Sequence, residues 1–333
     1  MGSLPPRPGV RRLLTALAVV AGLVTASCSS DDAASTPNAT AVTTDPSQTT
    51  STTQRPLPEP ARYQPVAGEP VPDAKQLAAD TLQRIGTYPD GGGTPDAARQ
   101  RLAELAASPS VADQAGPLLA PGASSSVEIV YPQLGGLSET EASVMVVFRH
   151  RLLADGARER VVTRTADVRL TAGPGGWSVT QLASTGGDAV EPAALSPAAE
   201  AVLASDAIDL PDSARWDIEA GRVEDRVLQL LVDLAADHTL SVTVLSTGHP
   251  TNVFETETVS NHTRGRGVDI WAVDGQPVIS QRDPAGPLRA LVADLLARGV
   301  TELGSPVDVD GAGGASFANT VHQDHLHLAF DGS

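Results

Sequence analysis

The chain of 333 residues has one cysteine, Cys28. No intrachain disulfide can form, and the folded part can hold neither a thiolate metal site nor a cysteine nucleophile. Any metal must be bound by His, Asp and Glu. Positive charge is also scarce: 23 Lys and Arg stand against 40 Asp and Glu, a formal net charge of −17. That balance argues against nucleic acid as a partner and against electrostatic attachment to anionic lipid. Lysine is almost missing, Lys75 being the only one. The bias toward arginine fits a high-GC genome and carries no functional reading.

The N-terminus places Arg7, Arg11 and Arg12 before an apolar run from Leu13 to Ala26 that is too short to span a bilayer, followed by "TASCSS". This pattern reads as an export signal over 1–28. Its end resembles a bacterial lipoprotein lipobox, with Thr25 where an aliphatic residue is more usual. The resemblance implies lipidation of Cys28 and an extracytoplasmic location, with the chain held to the outer face of the cell membrane by the lipid alone. Residues 29–60 are Ser, Thr and Pro with almost no apolar content. Such a segment cannot bury enough surface to offset the entropy of ordering and reads as a disordered tether.

Residues 61–186 open with two helix signals. Asp73 precedes Leu77, Leu82 and Ile85 and a stop at Gly86; Thr94-Pro95 precedes Ala98, Leu102 and Leu105. The period then changes to two in "VEIVY", "ASVMVVFRHRLL", "ADVRL" and "GWSV". Helices followed by an antiparallel meander predict an α+β region, similar in order to the cone-shaped, nuclear-transport-factor-like folds. His150 shares the alternating face with Phe148 and Leu152 and reads as a structural histidine. Periodicity is lost at 187–204, which is expected to be a hinge between two domains. In 205–333, Val223, Val227, Leu230, Leu231 and Leu234 recur at helical spacing and "LSVTVLS" reads as a buried strand. Asp274-Gly275 signals a hairpin turn, Leu288 to Leu296 a helix, and "HLHLAF" a closing strand. The fold class is therefore α+β in two domains.

Five of the seven histidines lie between His249 and His327. Because strand side chains alternate, His325 and His327 leave one face while Leu326 and Leu328 face the core. Asp269 lies between Val268 and Ile270, so its carboxylate projects opposite to two buried aliphatics, which is costly unless the charge is paired or coordinated. His262, Asp269 and His327 together make two imidazoles and one carboxylate, a set that suits Zn2+ and leaves a position for water. A base is then needed beside the water. Asp324 and His325 both qualify; Asp324 is favoured, with His325 orienting it or stabilising an oxyanion. His249, Ser260, Arg264, Arg266 and His322 are possible cleft residues.

These residues carry a resemblance. "SNHTRGRGVD" is similar to the Ser-x-His-x-x-Gly-x-x-x-Asp motif of zinc D-Ala-D-Ala carboxypeptidases and dipeptidases, and "DHLH" to their closing His-x-His element. Penicillin-insensitive murein endopeptidases and the hedgehog signalling domain share that scaffold. The resemblance, over about 215–330, implies a hedgehog-like C-terminal domain with His262, Asp269 and His327 on zinc, Asp324 as base and His325 in the active site. The chain departs from the pattern at "STGHP", where relatives carry an arginine for the substrate carboxylate, at Gln323 and Asp324 in place of an aromatic pair, and at Gly267 in place of alanine.

Two function classes follow. The first is a zinc metallopeptidase cutting amide bonds in peptidoglycan peptides, the nearest large substrate for an exported, tethered chain. The second is a zinc-containing module that binds cell wall or protein and turns over nothing. In a blander variant the triad only staples an envelope scaffold. Asp308 and Asp310 in "DVDGAGG" lack the closing glutamate of a calcium loop and read as a solvated turn.

Overall fold

The computed structural model describes residues 57–154 and 157–332. The expected export signal, Cys28 and the tether as far as Pro56 lie outside the described residues. Among those described, no helix is long and apolar enough to cross a membrane.

Helix α1 (Pro72–Gly86) begins on a proline, which needs no backbone donor there, and turns Ala78, Leu82 and Ile85 inward. α2 (Pro95–Leu102) is capped by the Thr94 hydroxyl, which accepts from the Ala97 amide, and α3 (Ser110–Gln114) follows. The helices cover an antiparallel meander of β1 (Ala123–Leu137), β2 (Glu141–Ala154), β3 (Arg160–Gly173) and β4 (Gly176–Ser184) in that order. The alternating Val144, Val146 and Phe148 meet α1 in one apolar cluster, where each large side chain contributes about 1.5–3 kcal/mol by leaving water. His150 is buried there, its Nε2 2.9 Å from the Ser125 hydroxyl.

The second sheet is mixed. Its strands run β10 (Ser316–Phe317), β9 (Glu302–Gly304), β11 (Leu326–Ala329), β7 (Gly267–Val273), β6 (Leu240–Val244) and β5 (Ile208–Asp209), with β8 (Gln276–Pro277) paired to β7. Asp274 and Gly275 both take positive φ, 54° and 71°, and close the β7–β8 hairpin as expected. Helices α4 (Pro197–Ala204), α5 (Asp212–Glu219), α6 (Asp225–Leu234) and α7 (Pro287–Ala297) complete this region. Val227, Leu230 and Leu231 of α6 pack with Val242, Val268, Ile270, Leu326 and Leu328 in a second apolar cluster.

Part of the expected hinge at 187–204 is helix α4. The Ser196 hydroxyl caps it by accepting from the Ala199 amide, Pro197 starts it, and Ala199 and Val202 join the second cluster. That short apolar face shows no clear periodicity in sequence. The fold is α+β, and the described residues fall in a single compact unit. Side chains from α1 and β1 reach the polar centre of the second sheet.

Candidate metal centre

Strand register builds the centre. In the antiparallel pair β7–β11, Asp269 and His327 are direct cross-strand partners, while Val268, Ile270, Leu326 and Leu328 fill the core on the other face. His262 comes from the turn before β7 and lies over Gly267. A Cβ at 267 would stand 2.9 Å from the imidazole Cδ2, so the glycine makes room for the ring.

Three donor atoms converge. His262 Nε2 lies 3.1 Å from Asp269 Oδ1 and 3.1 Å from His327 Nδ1, and His327 Nδ1 lies 2.9 Å from Asp269 Oδ1. Each donor side chain is also fixed from behind. His262 Nδ1 donates to the Leu245 carbonyl at 2.6 Å, leaving the Nε2 lone pair facing the triangle. Asp269 Oδ2 accepts from Gln133 Nε2 of β1 at 2.7 Å. His327 Nε2 faces Glu302 Oε1 at 3.5 Å. Ligating histidines are typically held by such a carbonyl or carboxylate behind the ring. A triangle of this size lets one cation stand about 2.0–2.2 Å from all three atoms, the zinc distance for N and O ligands.

Electrostatics point the same way. Burial pushes the Asp269 carboxyl up, but His262, His325 and His327 more than reverse this and hold it well below the usual carboxylate range. Burial lowers His327, yet its bonds to Asp269 and Glu302 outweigh that and raise it to about 10. The surroundings call for positive charge at this point, and the two imidazoles and carboxylate suit zinc. His249 belongs to a second, looser grouping: a donor atom each from His249, His262 and Asp269 lie within 4.8 Å of one another. The triangle of His262, Asp269 and His327 has edges of 2.9–3.1 Å and shares two members with that grouping. The ring of His249 stacks on His262 at 4.0 Å, and its Nδ1 donates to the Pro250 carbonyl.

The centre opens on a cleft of about 410 Å³ whose lining includes His249, Ser260, Arg264, His322, His325 and Glu302, closed on one side by Gly135 to Leu137 of edge strand β1. Arg266 is turned away and paired with Glu224 at 2.6 Å. His322 donates from Nδ1 to Asn319 Oδ1 at 2.7 Å and lies close over Gly304, where a Cβ would fall 2.3 Å from the ring. Burial, helped by His325 and His327, holds His322 well below the ordinary histidine value.

Asp324 is placed differently from its expected position beside the water. It is wholly buried and away from the cleft lining. Its Oδ1 accepts from His325 Nδ1 at 2.6 Å; its Oδ2 accepts from the Leu134 amide at 2.8 Å and from Lys75. Burial raises the Asp324 carboxyl, but Lys75 and His325 outweigh it and hold the group ionised. His325 Nε2 is the atom of this pair on the cleft side, 3.9 Å from Asp269 Oδ2. Lys75 also pairs with Glu69, which accepts from the Tyr131 hydroxyl at 3.0 Å, and Tyr131 stacks on Trp271 at 4.8 Å. Burying such ions costs roughly several kcal/mol each, offset only by close pairing.

Glu69, Lys75, Gln133 and Glu302 were not among the sequence candidates. Lys75 carried one signal, its singularity; Gln133 carried another, a polar residue between Tyr131 and Leu134 on a buried strand. No family model, curated protein or solved structure matches the chain.

Proposed function

We propose that His262 Nε2, Asp269 Oδ1 and His327 Nδ1 hold a zinc ion and that the chain is a metallopeptidase acting on amide bonds of peptidoglycan peptides. The observation that carries this reading is the triangle of donor atoms 2.9–3.1 Å apart, each side chain fixed from behind. Bound by these three side chains, a zinc ion would lower the pKa of water toward neutrality and polarise a carbonyl. His325 is the general base. Its Nδ1 proton is held by Asp324, so Nε2 can take a proton from a cleft water as the water oxygen bonds to the carbonyl carbon, and return it to the amine nitrogen as the C–N bond breaks. Asp324 is thus assigned to orienting His325, the reverse of the roles favoured from sequence. The cleft arginine, Arg264, is assigned to the substrate carboxylate in place of the arginine replaced by "STGHP". The substrate class rests on the motif resemblance and on the proposed export and lipid anchoring through Cys28.

Metal analysis of the purified protein, followed by incubation with cell-wall digests and mass spectrometry, tests the proposal. One zinc per chain and new peptide fragments are expected. Unaltered digests with stoichiometric zinc would overturn the enzymatic reading in favour of a binding module.

A further inference from the structure

In a chain whose other basic side chains are all arginine, the one lysine is wholly buried on the inner side of α1, between two carboxylates. A compact ammonium can sit between two acids in a space that a planar guanidinium would not fill the same way. Buried ion pairs are weak devices for stability, since an apolar replacement of similar volume is often neutral or better. The series of contacts has a direction: Glu69 to Lys75, Lys75 to Asp324 Oδ2, Asp324 Oδ1 to His325 Nδ1, and His325 to the cleft. A second contact from the same region, the Leu134 amide on Asp324 Oδ2, fixes the carboxylate at 2.8 Å.

We propose that Lys75 is a positioning residue for His325: its ammonium holds Asp324 in the orientation that keeps the His325 proton on Nδ1 and leaves Nε2 open to the cleft. The N-terminal helix and sheet are then part of the site rather than a spacer before it. The catalytic consequence rests on the hydrolase reading, but the tautomer itself does not.

The test compares the zinc-loaded full chain with Lys75→Met, labelled with 15N-histidine, His325 being assigned by its loss in His325→Gln. The wild type should show a single His325 tautomer protonated on Nδ1. In Lys75→Met that signature should give way to a mixture of tautomers, while zinc stoichiometry stays as in the wild type and unfolding remains cooperative at lower stability. On any peptide the wild type cleaves, kcat should fall by about a hundredfold with KM unchanged. A wild-type His325 signature in folded Lys75→Met would overturn the proposal. If Lys75→Met does not fold, Lys75→Met/Glu69→Gln, which removes one cation and one anion together, takes its place with the same readouts. Failure of both variants to fold would make the lysine a stability element and also overturn the proposal. If the wild type cleaves no peptide, the hydrolase reading falls, and the tautomer comparison still decides the role of Lys75.

Discussion

Two buried histidines, one in each sheet, have opposite fates. His150 of β2 faces the Ser125 hydroxyl, and burial, with Arg164 and Arg160, lowers it to about 4. His327 of β11 is buried too, but Asp269 and Glu302 reach it and raise it to about 10. Burial alone expels charge; burial with two carboxylates holds it. The first is a core residue that happens to be polar. The second belongs to a polar centre whose two carboxylates hold positive charge on its ring.

The sharpest way to break this comparison is to remove a ligand. Changing a residue behind a ligand typically costs 10–100-fold in metal affinity, so losing a ligand should cost more. His327→Ala and Asp269→Asn should each weaken zinc binding by more than about a hundredfold in chelator competition, whereas His150→Gln should leave it unchanged. Equal effects at both histidines would mean that His327 is no more a ligand than His150. Gln133→Ala should fall between them, with a loss of about 10–100-fold, because Asp269 loses the amide that orients it.

The same pair separates by pH. In the metal-free chain His327 has a folded value of about 10, above the unfolded histidine value of about 6.5. Its contribution to stability is therefore complete below about pH 6.5 and lost as pH rises through 10. His150, lowered to about 4, works in the other direction: the unfolded chain binds the extra proton, so stability falls as pH drops from about 6.5 toward 4. Urea titrations of metal-free protein should show His327→Ala removing the alkaline slope and His150→Gln the acid one. Zinc affinity should rise with pH, since the proton on His327 must leave first. A flat alkaline limb in the wild type would sink the charged His327.

Much of this is legible in the sequence. The period-two run "HLHL" and the single acid in "GVDIW" give the faces on which His327 and Asp269 stand, because alternation is a local rule, whereas their pairing across β7 and β11 is a long-range contact. The α+β order and the hairpin at Asp274-Gly275 follow from the same kind of signal. What was not legible depends on contacts between distant segments. Asp324 and His325 are adjacent in sequence, and only the approach of Lys75 and the Leu134 amide shows which of them faces the cleft. Helix α4 was missed because its buried face consists of little more than Ala199 and Val202.

The smallest expected effect concerns the chain's other acid-rich stretch, "DVDGAGG". There the carboxylates are used by their own loop: Asp308 Oδ1 accepts from the Gly311 amide at 2.8 Å, and Asp310 Oδ2 from the Ala315 amide at 2.8 Å. Both take further bonds from Ser316, so the loop satisfies its acids without an ion. Asp269 differs because its Oδ1 is opposed by two ring nitrogens rather than by backbone donors. An asparagine at 308 keeps one carbonyl oxygen for the Gly311 amide, so Asp308→Asn should leave zinc stoichiometry and affinity unchanged. Added calcium should not shift the melting temperature of either protein. A calcium-dependent rise in the wild type that Asp308→Asn abolishes would show that acid count, rather than what the oxygens already accept, marks a cation site in this chain.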